Sequence, residues 1–464
     1  MEIEKTKTQS DVQKWMTLIA IGTGTFMAAL DGSIVNISLP VISQTFNVGV
    51  AQIEWVVTIY LLVVSGLLLS FGRLGDLRGH KQIYLIGFFV FVLSSIFCGL
   101  ASSIPMLIAF RAVQALGAAM IASNSPAILT KSFPASQRGQ ALGLQATMTY
   151  LGLTVGPSLG GFLTQHFSWR SVFYANIPVG LAAIWLSYRY IRTDNENNTA
   201  EPFDIRGALL FIAGLTSLML GLNQGHVLGW TSPIILGLLI TAGIFLAIFI
   251  ALELRVPSPM LDLTLFRHPV FSLSTISAVL NYICIYAIIF LMPFYLINGR
   301  ELSSSQAGLL LTAQPVVMAV VAPISGTLSD KFGARIPGMI GMGVLSLGMF
   351  MLSRLGSGTP LLVVGLSLAL VGFGTGTFIS PNNSALMGSA PRQRQGIAAG
   401  ILATARNFGM VLGVGLAGAI FNTILHNHID PGSAEALSSA FQSTFLVASG
   451  IALIGVFTTG VRNA

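Results

Sequence analysis

A single carboxylate stands in the first long apolar run of the chain, within the stretch AALDGSIVNISLP at residues 28–40. This residue, Asp31, is the only ionisable side chain between Lys14 and Glu54. A charged group in the middle of an apolar helix costs about 2.5–3.5 kcal/mol on membrane-insertion scales. Because this cost is large, we interpret Asp31 as a functional residue, and proton binding is the chemistry that a lone buried carboxylate supports.

A second isolated charge, Arg111, lies in the fourth apolar run. Counted from the nearest run end at 1.5 Å per residue, Asp31 and Arg111 both lie about 10 Å below the same surface. Equal depth permits an ion pair in which burial opposes the charged carboxylate and the arginine favours it. Such a pair can change protonation when its surroundings change, and the alternative is a static structural pair. Glu54 is expected at the outer rim of the second run, as an interfacial acid or a proton-access residue.

The composition indicates a membrane protein. Of the 464 residues, 53% are hydrophobic and 8% are charged, whereas soluble domains carry roughly 25% charged residues. The first run begins at Trp15, is too long for a signal-peptide core and has no small-residue cleavage pattern, so we expect it to be retained. The net charge of +7 comes from scattered loop residues, which argues against nucleic acid as a partner. Both cysteines lie in apolar runs, so no disulfide framework is expected.

Runs of about 20 apolar residues are long enough to cross a bilayer as helices. The sequence contains fourteen such runs, at 15–39, 52–72, 82–101, 105–127, 139–164, 171–190, 205–223, 232–252, 270–297, 304–328, 337–354, 359–381, 396–421 and 442–461. Of the 23 Lys and Arg, eighteen lie on the side of both chain ends, three lie on the other side and two lie within runs. The positive-inside rule therefore places both termini in the cytoplasm of a multi-pass protein of the cytoplasmic membrane.

The chain contains an internal repeat. GRLGDLRGHK at 72–81 returns as GTLSDKFGAR at 326–335, and GAAMIASNSPAIL at 117–129 resembles GTGTFISPNNSAL at 374–386. The offsets of 254 and 257 residues predict two parallel six-helix halves with a pair of extra helices between them. The predicted units are an N-terminal bundle, a cytoplasmic linker, two inserted helices, a second cytoplasmic linker and a C-terminal bundle, at 1–190, 191–204, 205–252, 253–269 and 270–464.

Two motifs predict moving parts. The loop at 72–81 and its repeat combine glycines, bases and an acid that can pair with a base or cap a helix, which favours a cytoplasmic gate over a loop that only orients the protein. The gate residues are Gly72, Arg73, Gly75, Asp76, Arg78, Gly79, Asp330 and Arg335. The fifth run carries GLTVGPSLGG at 152–161, in which glycines four apart allow close helix packing and a proline permits a kink. These residues are Gly152, Gly156, Pro157, Gly160 and Gly161.

These motifs together resemble the major facilitator superfamily and, within it, the fourteen-span drug:proton antiporters. The carrying stretches are LDGSIVNISLP, GRLGDLRGHK, RAVQALGAAM and GLTVGPSLGG, and the resemblance covers essentially the whole chain. It implies an all-α polytopic major facilitator fold of two six-helix bundles plus two inserted helices. The function it implies is proton-coupled multidrug efflux and antibiotic resistance, with amphipathic cationic or neutral substrates and alternating access. The sequence departs from some relatives in having no acid inside the last six runs.

The resemblance also assigns roles to residues. Asp31 and Arg111 would couple transport to protons, with the proton gradient as energy source and no cofactor or metal. Protons, small amphipathic substrates and the lipid bilayer are the expected partners, and we expect the protein to function as a monomer. Polar and aromatic residues that are candidates for the substrate cavity, with helix packing as the alternative for each, are Asn36, Gln114, Gln145, Asn281, Tyr282, Tyr286, Gln314, Arg406 and Asn407.

Other functions are disfavoured. The residues GPSLG at 156–160 fit the G-x-S-x-G hydrolase pattern, but they lie in an apolar helix without a histidine base. No phosphate loop of the G-x-x-x-x-G-K-[ST] type occurs, and neither an enzyme nor a receptor is expected. His426 and His428 lie in a predicted outer loop and are expected to be solvated. The alternative that stays open is export of an endogenous lipid, metabolite or siderophore on the same scaffold.

Overall fold

The computed structural model describes residues 2–134, 137–193, 205–256, 263–391, 395–427 and 434–462. The regular structure of these residues is helical throughout. The helices are α1 (Glu2–Phe46), α2 (Val50–Arg78), α3 (His80–Leu100), α4 (Ile104–Ser132), α5 (Arg138–His166), α6 (Ser171–Tyr174), α7 (Asn176–Tyr190), α8 (Ile205–Leu228), α9 (Pro233–Glu253), α10 (Pro269–Phe294), α11 (Ser304–Leu311), α12 (Ala313–Phe332), α13 (Arg335–Leu352), α14 (Leu361–Ser389), α15 (Gln395–His426) and α16 (Ala434–Gly460). A 3₁₀ turn precedes α10 and a π-helical turn, Tyr295–Gly299, extends it.

Thirteen helical segments of the described chain are long and apolar enough to cross a membrane. They correspond to every predicted run except 139–164, which falls on α5, a helix of 29 residues. The predicted sixth span is built from α6 and α7, and the predicted tenth span from α11 and α12. Most of the predicted linker 191–204 and part of 253–269 lie outside the described residues.

Local sequence accounts for several helix ends. The hydroxyl oxygens of Ser103 and Ser232 accept hydrogen bonds from the backbone N–H groups of Met106 and Ile235, so each serine caps a helix whose first turn contains a proline. Ser303 and Gln306 form a reciprocal capping box at the start of α11. These caps satisfy backbone donors that the first helical turn leaves unpaired.

The internal repeat is visible at two glycines that end helices. Gly79 follows α2 with φ of 91° and Gly333 follows α12 with φ of 77°. Both values lie in the left-handed region that side chains with a Cβ atom rarely adopt. The two positions differ by the 254 residues of the sequence repeat, so the two motif loops share the same backbone requirement.

A second pair of contacts repeats between helices. A Cβ atom on Gly87 of α3 would lie 2.9 Å from the Gly117 carbonyl oxygen of α4, so the two backbones approach closely there. In the second half, a Cβ on Gly341 of α13 would lie 2.7 Å from the Gly374 carbonyl oxygen of α14. Glycine therefore allows the backbones to touch at corresponding places in both halves.

Helices α1–α7 pack together in one bundle and α10–α16 in a second, with contacts between α5 and α11 and between α2 and α15 joining the two. The extra helix α8 packs against both α2 and α15, so it touches both bundles. Its partner α9 packs mainly on α8 and leaves most of its apolar surface exposed. An exposed surface of this composition suits contact with lipid.

Candidate functional site

An ion pair between α1 and α4 is buried inside the first bundle. The Arg111 Nη1 atom lies 2.7 Å from Asp31 Oδ2, and the two residues are 1% and 0% exposed. The two residues that the sequence places at equal depth therefore do form an ion pair. Because water is excluded, the charge of each partner depends on the other.

Two amides complete the surroundings of the carboxylate. Gln114 Nε2 donates to Asp31 Oδ1 over 3.1 Å, and Asn176 Nδ2 donates to the same oxygen over 2.8 Å. Gln114 also donates to Ser95 Oγ and accepts from Arg111 Nη1. The carboxylate therefore has donors from α4 and α7, and hydrogen bonds of this kind favour its ionised form.

The guanidinium of Arg111 is held on two further sides. Its Nε donates to the backbone carbonyl of Val56 over 3.2 Å. Its Cζ lies 4.1 Å from the centre of the Tyr60 ring, a cation–π distance. Tyr60 also interacts electrostatically with Asp31 and with Tyr286 of α10. Tyr60 therefore covers one side of the guanidinium.

A different charge lies at the cleft between the bundles. Arg406, on α15, is partly buried and interacts electrostatically with Tyr150 of α5 and Tyr286 of α10. Tyr282, one turn before Tyr286, interacts with both of these tyrosines. Cβ atoms built on Gly409 and Gly413 of α15 would lie 2.9 and 3.0 Å from the Cβ atoms of Tyr282 and Tyr286. Three of the predicted cavity residues, Tyr282, Tyr286 and Arg406, therefore lie in one neighbourhood, and Tyr150, which the sequence analysis did not select, is near it.

Two predicted cavity residues make buried contacts with neighbouring side chains. Gln114 is fully buried at the ion pair, and Asn281 is fully buried with its amide 3.6 Å from Met342 Sδ, between α10 and α13. Both placements fit the helix-packing alternative of the sequence analysis, because a long polar side chain in an apolar helix can satisfy a neighbouring helix. Their assignment to the cavity stays a prediction.

The remaining cavity candidates are spread over several helices. The Asn36 amide donates to the Gly32 carbonyl within α1. Gln145 Nε2 donates to Thr25 Oγ1 over 3.2 Å, from α5 to α1. Gln314 and Asn407 are each 6% exposed. Of these observations only the Gln145 bond joins two helices, and the cavity role of all four residues stays a prediction.

Glu54 corrects a sequence expectation. It is 1% exposed rather than at an open rim, and Asn223 Nδ2 of α8 donates to its Oε2 over 3.2 Å. A Cβ atom on Gly418 of α15 would lie 2.0 Å from the same oxygen. The acid is therefore enclosed where α2, α8 and α15 meet, and Asp31 is not the only deeply buried carboxylate.

The predicted gate loop is helical except at Gly79, because Asp76 lies in the last turn of α2 and His80 begins α3. The side-chain contacts of this loop centre on Asp76. Its Oδ1 lies 3.2 Å from His80 Nε2, and its Oδ2 lies 4.0 Å from Arg73 Nη1. The contact with His80 is the main reason that the pKa of Asp76 lies below its usual range. The ionised contact therefore contributes at neutral pH and is lost as the pH falls through the lowered pKa. The Asp330 side chain lies outside the described part, and Arg335 is exposed.

The glycine pattern of α5 serves two different neighbours. Gly152, Gly156 and Gly160 face α1, where added Cβ atoms would lie 1.8–2.7 Å from the nearest atoms. Gly161 instead faces the second bundle, where an added Cβ atom would lie 2.2 Å from the Ser304 carbonyl oxygen. A Cβ atom on Gly308 of α11 would similarly meet the Pro157 carbonyl oxygen. The predicted stripe packs α5 on α1, and its last glycine belongs to the junction between bundles.

Side-chain hydrogen bonds between the two bundles cluster on the face opposite the motif loops. They join Gln44 to Asn298 over 3.1 Å, Ser158 to Thr312 over 2.6 Å and the Ser305 backbone to Gln165 over 3.1 Å. We call these residues the closure face. The bundles are held together there by small side chains and close backbones, contacts that a rocking motion can release.

This architecture defines a class of protein. Two similar helical bundles, with a buried ion pair in one of them and junction contacts on one face, are the arrangement of a membrane transporter built from parallel repeats. The chain matches the Major Facilitator Superfamily profile over residues 21–413 and 274–462. It belongs to that superfamily and is a transporter rather than an enzyme.

Relatives and solved structures agree with this family. The chain is 34% identical over 448 residues to the riboflavin transporter RibZ of Clostridioides difficile, covering 96% of this chain and 97% of that protein. It is 36% identical over 428 residues to the multidrug resistance protein Stp of Mycobacterium tuberculosis, covering 92% and 79%. A bacterial homologue of the lysosomal transporter Spinster, solved in an inward-facing and unoccupied conformation, superposes with a TM-score of 0.68 at 17% identity, covering 96% and 97%.

Proposed function

We propose that the protein is a fourteen-span proton-coupled exporter of amphipathic small molecules. The observation that carries the proposal is the buried Asp31–Arg111 pair, whose carboxylate is the one acid of the described residues that faces an arginine inside the membrane region. An ionisable residue inside the membrane region is costly, and this cost marks Asp31 as a residue that serves transport. The proton gradient is the energy source, and no cofactor takes part.

The proposed orientation places both termini in the cytoplasm, since Lys and Arg are concentrated on that side. The closure face then lies outside, and this conformation faces inward. Substrate enters the cleft from the cytoplasm and the inner leaflet. Release outside requires separation of α5 from α11 and of α2 from α15.

Proton coupling follows from the chemistry of the pair. In the inward-facing state Asp31 is ionised and compensated by Arg111. When the bundles rock, solvent from outside reaches the pair and Asp31 takes up a proton. Arg111 keeps its bonds to Gln114 and the Val56 carbonyl, so it remains in place while the carboxyl is neutral. Return to the inward-facing state releases the proton to the cytoplasm, where the gradient favours release.

The relatives support two substrate classes. The name of Stp supports multidrug efflux, and the name of RibZ supports transport of a single metabolite. Export of an endogenous compound on the same scaffold is therefore the second candidate. Saturable transport of one compound, without competition from others, would favour it.

The test is transport by purified protein in liposomes with and without an imposed pH gradient. A panel that includes ethidium, rhodamine 123, fluorescein and riboflavin separates the two classes. We expect gradient-dependent accumulation that Asp31→Asn abolishes, while Glu301→Gln, at an exposed outer position, leaves it unchanged. Gradient-driven transport by Asp31→Asn at the wild-type rate would refute the proposed coupling site.

A further inference from the structure

The two arginines of the membrane region have opposite surroundings. Arg111 is bound to a carboxylate, an amide and a backbone carbonyl. Arg406 has a buried Nε atom with no hydrogen-bond partner among the described residues. The sequence contains no acid inside the last six runs that could compensate it. Arginine keeps its charge under all relevant conditions, and Arg406 forms no ion pair among the described residues, so it brings a positive charge to the junction between the bundles.

The groups around this charge are aromatic and polar. Tyr282 and Tyr286 of α10 pack on α15 beside Arg406, because Cβ atoms built on Gly409 and Gly413 would lie 2.9 and 3.0 Å from the Cβ atoms of these tyrosines, and both glycines share the helix face of Arg406. Tyr150, from the first bundle, is close enough to Arg406 for its charge to act on the phenol. Thr154, one turn after Tyr150 on the same face of α5, has a buried hydroxyl oxygen without a hydrogen-bond partner in the described chain. Two unsatisfied polar groups beside three rings are the features of a site that binds a ligand with both flat and polar parts.

The chemistry of the cluster selects a ligand class. A guanidinium pairs best with a planar group that offers two acceptors, such as a carboxylate or neighbouring carbonyls. Tyrosine rings provide stacking surfaces, and their hydroxyls provide further donors. A positive charge in a cleft with low-dielectric walls attracts anions and repels cations.

We propose that Tyr150, Tyr282, Tyr286 and Arg406 form the substrate site and that it takes flat aromatic compounds with carboxylate, phenolate or paired carbonyl acceptors in preference to aromatic cations. The inference rests on the proposed function of export and changes its substrate class, because the family resemblance implies cationic or neutral compounds. It requires that the acceptor group of the ligand meets Arg406 while its rings lie between the tyrosines of the two bundles.

The test uses two dyes with one xanthene framework and opposite charge, the anion fluorescein and the cation rhodamine 123. Equilibrium binding to purified protein in detergent, followed by fluorescence anisotropy, measures recognition without any gradient. We expect wild type to bind fluorescein at least about tenfold more tightly than rhodamine 123, the order of effect of one charge-assisted hydrogen bond. Arg406→Gln is expected to remove this preference, and Arg406→Lys to retain part of it. Arg354→Gln, an exposed arginine stacked on Phe350, is the matched control and should bind both dyes as wild type does.

The outcomes separate this inference from the proposed function. Equal or tighter binding of rhodamine 123 by wild type, binding of neither dye, or an equal loss of both in Arg406→Gln would overturn the substrate class. Selective fluorescein binding without gradient-driven transport would leave the inference standing and refute proton-coupled export. If Arg406→Gln unfolds, Tyr150→Phe provides the second test, with weaker fluorescein binding expected from the lost hydroxyl and stacking retained.

Discussion

Asn176 gives the sharpest test of how the carboxylate of the ion pair is held. Its amide donates to Asp31 Oδ1 over 2.8 Å, and its own Oδ1 has no hydrogen-bond partner among the described residues. Asn176→Leu keeps the number and branching of the side-chain heavy atoms and removes one donor from the carboxylate, while the donor from Gln114 remains. The change therefore acts on Asp31 without breaking its contact with Arg111.

The size of the effect follows from this contact. A hydrogen bond to a charged group contributes about 1.5–3 kcal/mol. Asn176→Leu removes one such bond while the carboxylate stays buried, so we expect the free energy of unfolding to fall by about this amount. In an Asp31→Asn background the acceptor carries no charge, and the same substitution should cost clearly less.

A double-mutant cycle measures this coupling without a substrate. The free energy of unfolding in detergent is obtained by denaturant titration for wild type, Asn176→Leu, Asp31→Asn and the double variant. The control is Ser187→Ala, a buried position on the same helix, about 16 Å along the helix axis, and its cost should be the same in both backgrounds. An equal cost of Asn176→Leu in both backgrounds would refute the assigned role of the amide.

Four further outcomes are expected. Asp31→Asn should abolish gradient-driven transport in liposomes while the thermal unfolding profile shows a folded protein; a retained gradient response would move the proton site elsewhere. Arg111→Ala should destabilise the protein by about 3–5 kcal/mol, because a buried charge loses its partner, and Arg111→Lys should restore part of the stability; equal stability of both variants would exclude the pairing. Gly308→Ala should place a Cβ atom 2.1 Å from a carbonyl oxygen of α5 and widen spin-label distances across the closure face, whereas Gly388→Ala, with no atom within 4 Å, should not; unchanged distances would contradict a tight junction. Asp76→Asn should shift the protein towards this conformation and slow turnover, and distances at the motif-loop face equal to wild type would leave that loop as an orientation element.

Most of the helices could be predicted from the sequence, because the apolar length of a run is a local property. Depth is also local, and this is why Asp31 and Arg111 could be matched before their helices were known to touch. The glycine spacing in α5 likewise predicted a packed stripe, since residues four apart share one helix face. It did not reveal that Gly161 faces the other bundle, because that contact depends on how the bundles meet.

Other features depend on neighbours distant in sequence. Asn176 is a single polar residue at the start of α7, and nothing near it indicates a carboxylate 145 residues away. Gln114 lies three residues from Arg111, and the structure uses that spacing to bind both partners of the ion pair. Glu54 was placed at the rim because it begins a helix, but α8 and α15 cover that end. In each case the deciding contact comes from tertiary packing.

The enclosure of Glu54 makes the main scaffold depend on the extra helices. Asn223 of α8 accepts a hydrogen bond from Trp55 Nε1 and donates to Glu54 and to the Ala51 carbonyl. Deleting α8 and α9 would open this acid and its joint with α15 to lipid, where an uncompensated carboxylate is costly. A shortened descendant or an engineered twelve-helix version would therefore have to exchange Glu54 for a neutral residue in the same step. Removal of the two inserted helices from this chain would therefore require a compensating substitution more than 160 residues upstream of Asn223.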